Sequence, residues 1–273
     1  MSRIWFITGT SRGLGRVWAE AALDRGDRVV ATARDVGSLA GLLDRYGDNV
    51  LGLELDVTDK GAVGAAVATA HDHFGGLDIV VNNAGYGLFG AVEEVSEEQA
   101  RAQFETNVFG ALWLTQAALP YLRERGSGHI VQTSSVGGVN AFPTLGIYHA
   151  SKWALEGMTQ SLAAEVAGQG IHVTLVEPVS YATDWFGGSA IQAEPLPAYD
   201  GVRAAVAEAW SGMTPRDPKA TGPAILRVVD AEQPPLRVFF GTGSLELMRG
   251  EYEQRLATWE EWEDVAVLAA GAS

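Results

Sequence analysis

Residues 4–15 decide the fold, and they read Ile4-Trp5-Phe6-Ile7-Thr8-Gly9-Thr10-Ser11-Arg12-Gly13-Leu14-Gly15. The apolar start predicts a short buried strand, and the glycines predict a tight turn into a helix. Such a turn needs residues without a Cβ, and it leaves backbone N–H groups at the helix N-terminus free to bind a phosphate. The glycine spacing differs from the G-x-G-x-x-G dinucleotide pattern, so a structural turn without a ligand is the alternative.

The alternation of strand and helix continues outward from this turn. Apolar, β-branched runs predict strands at 4–8, 28–33, 50–55, 79–82, 129–133 and 172–177, with a last strand at 236–240. Amphipathic stretches predict helices at 14–25, 38–46, 60–74, 97–123, 148–167 and 244–270. Strands that alternate with helices predict an α/β fold, with a parallel sheet covered on both faces. The length of 273 residues fits a single domain over 1–273.

Composition excludes several classes of function. The formal charge of -15 predicts repulsion of nucleic acids and of anionic membrane surfaces. The chain has no cysteine, which excludes disulfides and thiolate metal sites. The histidines have no metal-ligand spacing, so we expect no metal. A secretory signal and an apolar run of membrane-spanning length are both lacking in the sequence, which makes a cytoplasmic protein the expectation.

The pattern T-G-x-x-x-G-x-G over residues 8–15 resembles the cofactor loop of the short-chain dehydrogenase/reductase family. Further matches follow in the family's order, at Asp56, Asn82-Asn83-Ala84-Gly85, Asn107, Ser135 and Tyr148-x-x-x-Lys152. The resemblance spans about residues 4–183. It implies a Rossmann-type, doubly wound sheet of about seven strands, a nicotinamide cofactor and an oxidoreductase that interconverts a carbonyl and an alcohol.

The residues at the end of the second predicted strand favour NADP(H). A carboxylate there would accept from the ribose 2′-OH of NAD, whereas arginine pairs with the 2′-phosphate of NADP. Ala33 is neutral at that position, Arg34 follows it, and Arg12 can reach the same phosphate. Asp35 falls one place too late and is interpreted as a solvated loop residue. The expected cofactor-binding residues are Gly9, Ser11, Arg12, Gly13, Leu14, Gly15, Arg34, Asp56, Val57, Asn83, Ala84, Gly85, Tyr148, Lys152, Pro178 and Thr183.

Tyr148 and Lys152 are four residues apart, which places both side chains on one face of a helix. A nearby ammonium stabilises a phenolate and brings the pKa of a tyrosine toward the working range. By resemblance, Tyr148 is the general acid or base, Ser135 orients the carbonyl oxygen, and Asn107 holds a water beside Lys152. Ser134 is the adjacent alternative to Ser135. His149 points about 100° away from Tyr148 on a helix and is expected to be structural.

The chain departs from the family pattern after the sixth strand, where Val179 replaces the usual glycine between Pro178 and Thr183. We therefore expect Val179 to reshape the pocket. Residues 178–218, rich in proline, glycine and aromatic residues, predict a loop-helix insertion that covers the substrate. The expected pocket residues are Tyr86, Leu88, Phe89, Val136, Phe142, Val179, Tyr181, Trp185 and Phe186.

The apolar and aromatic character of these residues predicts a neutral, hydrophobic ketone or secondary alcohol as substrate, aryl or steroid-like ones included. A non-catalytic NADP(H)-sensing protein on the same fold is one alternative function. A steroid-type alcohol dehydrogenase is a second, and an epimerase or dehydratase a third. The resemblance further implies a homodimer or homotetramer, built partly from the helices that carry Asn107 and Tyr148. Trp259 and Trp262 are expected to pack internally or to contact another subunit.

Overall fold

The computed structural model describes residues 2–271. Its strands are β1 Ile4–Ile7, β2 Arg28–Ala33, β3 Val50–Glu54, β4 Ile79–Asn82, β5 Leu88–Phe89, β6 Gly128–Thr133, β7 Ile171–Pro178, β8 Ile191–Gln192 and β9 Arg237–Phe240. Its α-helices are α1 Gly13–Asp24, α2 Ala40–Tyr46, α3 Lys60–Phe74, α4 Glu97–Phe104, α5 Ala111–Arg125, α6 Gly146–Val166, α7 Asp200–Trp210, α8 Thr221–Asp230, α9 Ser244–Glu261 and α10 Glu263–Ala269.

Seven strands within residues 2–271 form one parallel sheet in the order β3-β2-β1-β4-β6-β7-β9. This order confirms the predicted Rossmann-type, doubly wound fold. Strand β1 lies inside the sheet, with β2 paired on one side and β4 on the other. The strand order reverses beside β1, and in such sheets ligands bind outside the carboxyl ends of the strands at that reversal. The turns after β1 and β4 therefore define where a cofactor cleft belongs.

Successive residues of β1 contribute to two separate cores, because side chains alternate between the faces of a strand. Trp5 and Ile7 lie in one cluster with residues of α1 and α8. Ile4 and Phe6 lie in the other cluster, with residues of α3 and α5. All four side chains are buried. Burial on both faces fixes β1 in place and so fixes the position of the glycine turn that follows it.

The structure differs from the sequence prediction in four places. Helix α8, Thr221–Asp230, was not predicted. The predicted helix 97–123 is divided into α4 and α5 by a π-helical segment, Glu105–Gly110. The predicted helix 244–270 is two helices, α9 and α10, and Trp259 and Trp262 are each 61% exposed near the break between them. Strands β5 and β8 form a small parallel pair that the sequence did not indicate. This pair ties the predicted insertion 178–218, which also contains α7, to the loop after β4.

Candidate active site

The glycine turn after β1 is joined to the loop after β4 by hydrogen bonds. The buried Thr8 hydroxyl accepts from the backbone N–H groups of Asn83 and Ala84, both at 3.0 Å. The Asn83 side-chain amide donates in return to the carbonyl oxygens of Thr8 at 2.9 Å and Gly9 at 3.1 Å. The residues predicted to bind the cofactor from these two loops are thereby held side by side, at the reversal of strand order.

Two glycines of the turn are required by geometry. Gly13 has a φ of +62°, in the left-handed region that favours glycine. A Cβ on Gly15 would overlap the Asn83 amide and the Gly9 carbonyl oxygen. Helix α1 starts here without a side-chain cap among the described residues. Its first backbone N–H groups are therefore available to an anion, which is the arrangement a dinucleotide pyrophosphate needs.

Arg34 lies at the adenosine end of the expected cleft and is exposed. Burial raises the pKa of Tyr86, and the positive charge of Arg34 opposes that rise. Asp35 accepts a hydrogen bond from the Gly37 backbone N–H at 2.9 Å and caps a short 3-10 helix. Asp56 is exposed and accepts from the backbone and hydroxyl of Thr58. Asp35 thus serves the loop, as the sequence indicated.

Arg12 lies 3.1 Å from Asp184 in an ion pair that the sequence did not predict. Asp184 also accepts hydrogen bonds from Gly188 and Ser189. Thr183 lies close to Gly13, since a Cβ on that glycine would be 3.9 Å from the threonine side chain. The segment after β7 therefore lies directly over the glycine turn.

Tyr148, Lys152 and Ser135 meet at the carboxyl end of the sheet. Tyr148 and Lys152 are both buried on α6, with the Lys152 Nζ 5.9 Å from the centre of the Tyr148 ring. Burial raises the Tyr148 pKa to about 12, and an interaction with the Ser135 hydroxyl opposes that rise. Burial lowers the Lys152 pKa to about 8, and Glu156 opposes that fall. The Lys152 ammonium donates to the Thr133 carbonyl oxygen at 2.7 Å.

Ser135 begins the 3-10 turn Val136–Gly138, and its hydroxyl accepts from the Gly137 backbone N–H at 3.0 Å. This contact fixes the serine at the end of β6, facing Tyr148 on α6. The thirteen residues from Ser135 to Tyr148 comprise the 3-10 turn Val136–Gly138, a loop and the start of α6.

Asn107 lies in the π-helical segment and is 2% exposed. Its side-chain oxygen accepts from the Tyr86 backbone N–H, and its amide donates to the Tyr86 carbonyl oxygen, both at 3.2 Å. The amide also donates to the Ser151 hydroxyl on α6 at 3.1 Å. Asn107 therefore joins the loop after β4 to the helix that carries Tyr148 and Lys152. A water-holding role for Asn107 stays a prediction.

Aromatic side chains cover Tyr148. The Trp185 ring centre lies 5.2 Å from that of Tyr148 and 5.1 Å from that of Phe89. A Cβ on Gly87 would lie only 2.9 Å from Trp185, so a side chain there would displace the indole. The segment after β7 thus contacts the glycine turn through Asp184 and Tyr148 through Trp185.

The other predicted pocket residues are placed in several ways. Leu88 is buried in β5, and Phe142 packs edge-on against His149. Val136 belongs to the turn after Ser135. Tyr181 is buried in the same core cluster as Trp5, and Val179 packs against that cluster and against Gly241. The Phe186 side chain lies outside the described part of the structure. For all of them, contact with a substrate stays a prediction.

His149 was expected to be structural, because it points about 100° away from Tyr148 on the helix, and its contacts agree with that expectation. It is buried, and its Nδ1 accepts from the Phe142 backbone N–H at 3.2 Å. Burial lowers the His149 pKa to about 4, which keeps the ring neutral and able to accept that bond at physiological pH. His149 thereby holds the loop between Ser135 and α6.

Several site residues were missed by sequence reasoning. Thr8 acts through backbone partners in the loop after β4, which only the assembled loops supply. Asp184 and Gly87 are defined by neighbours distant in sequence. Ser151 could have been found, because it lies three residues after Tyr148 and so shares its helix face.

Two further observations concern the whole of residues 2–271. In this range no three His, Asp or Glu side chains come together in a group that could hold a metal ion. In the same range, every helix is too short or too polar to cross a bilayer.

The fold and this arrangement of residues agree with what comparison with known proteins shows. The family model for short chain dehydrogenase matches residues 3–192. The oxidoreductase BOA17 of Botryotinia fuckeliana is 41% identical over 275 residues, covering 99% of this chain and 100% of that protein. This chain therefore belongs to the short-chain dehydrogenase family and is an oxidoreductase.

Two solved structures extend the comparison. A short-chain dehydrogenase from Streptomyces avermitilis superposes with a TM-score of 0.91 at 39% identity, covering 97% of this chain and 98% of that one. A short chain dehydrogenase/reductase from Burkholderia phymatum in complex with NAD has a TM-score of 0.83 at 24% identity, covering 94% and 95% of the two chains. The second likeness bears on the fold alone.

Proposed function

We propose that this protein is an NADP(H)-dependent ketoreductase, which transfers hydride between the nicotinamide and a neutral hydrophobic ketone or secondary alcohol. The observation that carries the proposal is the buried Tyr148 phenol beside Ser135, with Lys152 one helical turn away. A phenol with a pKa of about 12 holds its proton at neutral pH and can donate it to a carbonyl oxygen. When bound, the nicotinamide cofactor supplies the hydride.

The other polar residues near Tyr148 also have roles in the proposed reaction. The Ser135 hydroxyl orients the carbonyl oxygen by donating a hydrogen bond to it as negative charge develops. The Lys152 ammonium stabilises the phenolate that Tyr148 becomes after donating its proton. Asn107 keeps the loop after β4 at a fixed distance from α6. The family resemblance adds that Lys152 holds the ribose hydroxyls of the cofactor.

The choice of NADP(H) over NAD(H) is supported by the residues that follow β2. Ala33 is buried and neutral, Arg34 is exposed toward the cleft, and Asp35 is engaged in capping. Arg12 supplies a second guanidinium in the glycine turn, shared with Asp184. A 2′-phosphate that met Arg34 would form a charge-assisted pair of the kind that favours NADP.

A neutral, hydrophobic substrate is supported by the surroundings of Tyr148. Trp185 and Phe89 form an aromatic cover over the Tyr148 ring. Apolar walls with a few convergent polar groups are typical of pockets that bind neutral organic ligands. A flat aryl ketone could stack on Trp185 while its oxygen meets Tyr148.

The proposal is tested by the absorbance of NADPH at 340 nm, with a panel of aryl and alicyclic ketones and with NADH in parallel. Consumption of NADPH in excess of NADH, dependent on ketone, is the expected result. Tight binding of NADPH without turnover across the panel would favour the non-catalytic sensing function. Turnover with NADH alone would contradict the assigned cofactor.

The assembly is also a proposal. We infer a cytoplasmic homodimer or homotetramer that uses the helices carrying Asn107 and Tyr148, where Phe109 and Trp153 are exposed. Sedimentation equilibrium would give the subunit number, and a monomer at micromolar concentration would contradict it.

A further inference from the structure

A group of three ionisable residues, two of them buried glutamates, lies near Lys152, and the proposed reaction does not use it. Glu156 on α6 is 6% exposed and Glu177 in β7 is 1% exposed. The Arg237 Nε in β9 lies 2.9 Å from a Glu156 oxygen and 3.7 Å from a Glu177 oxygen. Buried charges are costly unless they are paired, so this arrangement needs a physical explanation.

Glu156 follows Lys152 by four residues, which places the two side chains one helical turn apart on the same side of α6. Both are buried. The direct partner of the Lys152 ammonium is a neutral carbonyl oxygen, that of Thr133. The charges of Lys152 and Glu156 attract each other, which raises the Lys152 pKa against the effect of burial.

The two carboxyl groups differ in their charge. Burial raises the Glu177 pKa to about 8, and the neighbouring Glu156 raises it further. Glu177 therefore keeps its proton near neutral pH. Burial raises the Glu156 pKa above its ordinary value, and interactions with Ser134, Arg237 and Lys152 oppose that rise. Glu156 also accepts a hydrogen bond from the Arg237 Nε at 2.9 Å. Of the two carboxyl groups, Glu156 is the one that accepts a hydrogen bond from a cation, so we assign the negative charge of the group to Glu156.

Glu156 also touches the turn that carries Ser135. A Cβ on Gly138 would collide with the Ser134 hydroxyl and would lie 3.2 Å from a Glu156 oxygen. The turn is therefore packed closely against α6 at this point. One carboxylate thus faces both the lysine and the serine turn of the site.

We propose that Glu156 is a positioning residue of the active site, whose buried carboxylate keeps the Lys152 ammonium charged and holds the serine turn against α6. The inference rests on the proposed function, because Lys152 matters only if Tyr148 exchanges a proton. On its own helix, Lys152 has the Tyr148 ring 5.9 Å from its Nζ and is acted on by the charge of Glu156. Arg237 on β9 and Glu177 on β7 are neighbours of Glu156, and the π-helical segment, which packs against α6, adds the exposed Glu105. The turn Val136–Gly138 contributes none.

The charge of Lys152 can be measured directly, because the sequence contains three lysines and the other two, Lys60 and Lys219, are exposed. In protein labelled with 13Cε-lysine, the NMR signals are assigned with the variants Lys60→Arg and Lys219→Arg and then titrated without cofactor. The expected result is that Glu156→Gln lowers the Lys152 pKa from about 8 by about one unit. We expect this variant to fold, because Glu177 lies 3.7 Å from the Arg237 Nε and can ionise to pair with it.

Glu165→Gln is the matched control, because it removes the same charge from an exposed position of the same helix. It should leave the Lys152 titration unchanged. Glu156→Asp keeps the charge at a greater distance and should give a smaller drop. If Glu156→Gln does not fold, the Lys152 titration of Glu156→Asp tests the inference by itself. An unchanged Lys152 pKa in the folded Glu156 variant would overturn the inference.

Kinetics give a second readout. At pH 9, above the Lys152 pKa of both the wild type and the variant, a pKa lower by one unit leaves about tenfold less charged lysine. Glu156→Gln should therefore lose about tenfold in kcat at pH 9. At pH 6 Lys152 is mostly charged in both proteins, so the loss there should be less than about twofold. An equal loss at both pH values would indicate a merely structural role and overturn the inference. The titration needs no turnover. A wild-type protein that titrates as expected but reduces no ketone would therefore refute the proposed function alone.

Discussion

The hydroxyl of Thr8 is the connection between the two halves of the cofactor cleft, and its removal can be worked out from the structure. In Thr8→Val the shape of the side chain is kept and the oxygen is lost. The backbone N–H groups of Asn83 and Ala84, which now donate to that oxygen at 3.0 Å, would lose their acceptor. The third contact, to the Val81 carbonyl oxygen, is long at 3.3 Å.

Each polar group left without a partner in a buried position costs about 1–3 kcal/mol. Thr8 is 1% exposed, but Asn83 and Ala84 are only half-buried, so we expect the lower part of that range for each. Thr8→Val should therefore lower the free energy of unfolding by about 2–4 kcal/mol. NADPH binding should weaken as well, because the loop after β4 loses its attachment to the glycine turn.

The assay is urea unfolding followed by tryptophan fluorescence, with NADPH affinity measured by titration. Thr10→Val is the matched control in the same turn. Its buried hydroxyl donates only to the Thr32 carbonyl oxygen, which keeps a second donor, the Thr10 backbone N–H. That control should cost about 0.5–1.5 kcal/mol. A loss in Thr8→Val no larger than in Thr10→Val would refute the reasoning.

Four further outcomes are expected. Gly15→Ala should abolish tight NADPH binding in a titration, because its Cβ would displace the Asn83 amide; unchanged affinity would contradict the packing. Arg34→Ala should weaken NADPH binding about 10- to 100-fold and leave NADH affinity unchanged, as loss of a charge-assisted pair predicts; equal losses would remove Arg34 from the phosphate site. Val179→Gly should destabilise the protein by about 1–3 kcal/mol in urea unfolding, because the half-buried side chain packs against the core. An unchanged stability together with an altered enantiomeric ratio of the alcohol product would place Val179 at the pocket instead. Glu177 has a raised pKa in the folded protein, so its contribution to the free energy of unfolding is lost as the pH rises from about 4.5 to about 8. In Glu177→Gln the free energy of unfolding should therefore decline less over this pH range. A decline as steep as that of the wild type would contradict this prediction.

The parts of the site that the sequence could predict are those set by local spacing. The four-residue separation of Tyr148 and Lys152 determines their common helix face wherever that helix lies. The strands were predictable because β1 and its neighbours are buried on both faces and therefore read as continuous apolar runs. The doubly wound order of the seven strands within residues 2–271 was predictable from the family resemblance, since the handedness of the crossovers alone does not fix a strand order.

The parts that could not be predicted depend on contacts between distant segments. Nothing in residues 97–123 marks the π-helical segment, in which Asn107 hydrogen-bonds to Tyr86 of another loop. The pairs Arg12–Asp184 and Tyr148–Trp185 join segments far apart in the chain. The two-residue strands β5 and β8 are too short to leave a periodic pattern.

The central claim is that the Tyr148 phenol exchanges the proton of the reaction, and the substitution Tyr148→Phe tests it most directly. The ring that packs against Trp185 is retained and only the hydroxyl is removed. Measured with NADPH and a ketone that the wild type reduces, the variant should bind NADPH as the wild type does and lose about 10²- to 10⁴-fold in kcat. A variant that keeps more than about a tenth of wild-type kcat would contradict the assignment of Tyr148.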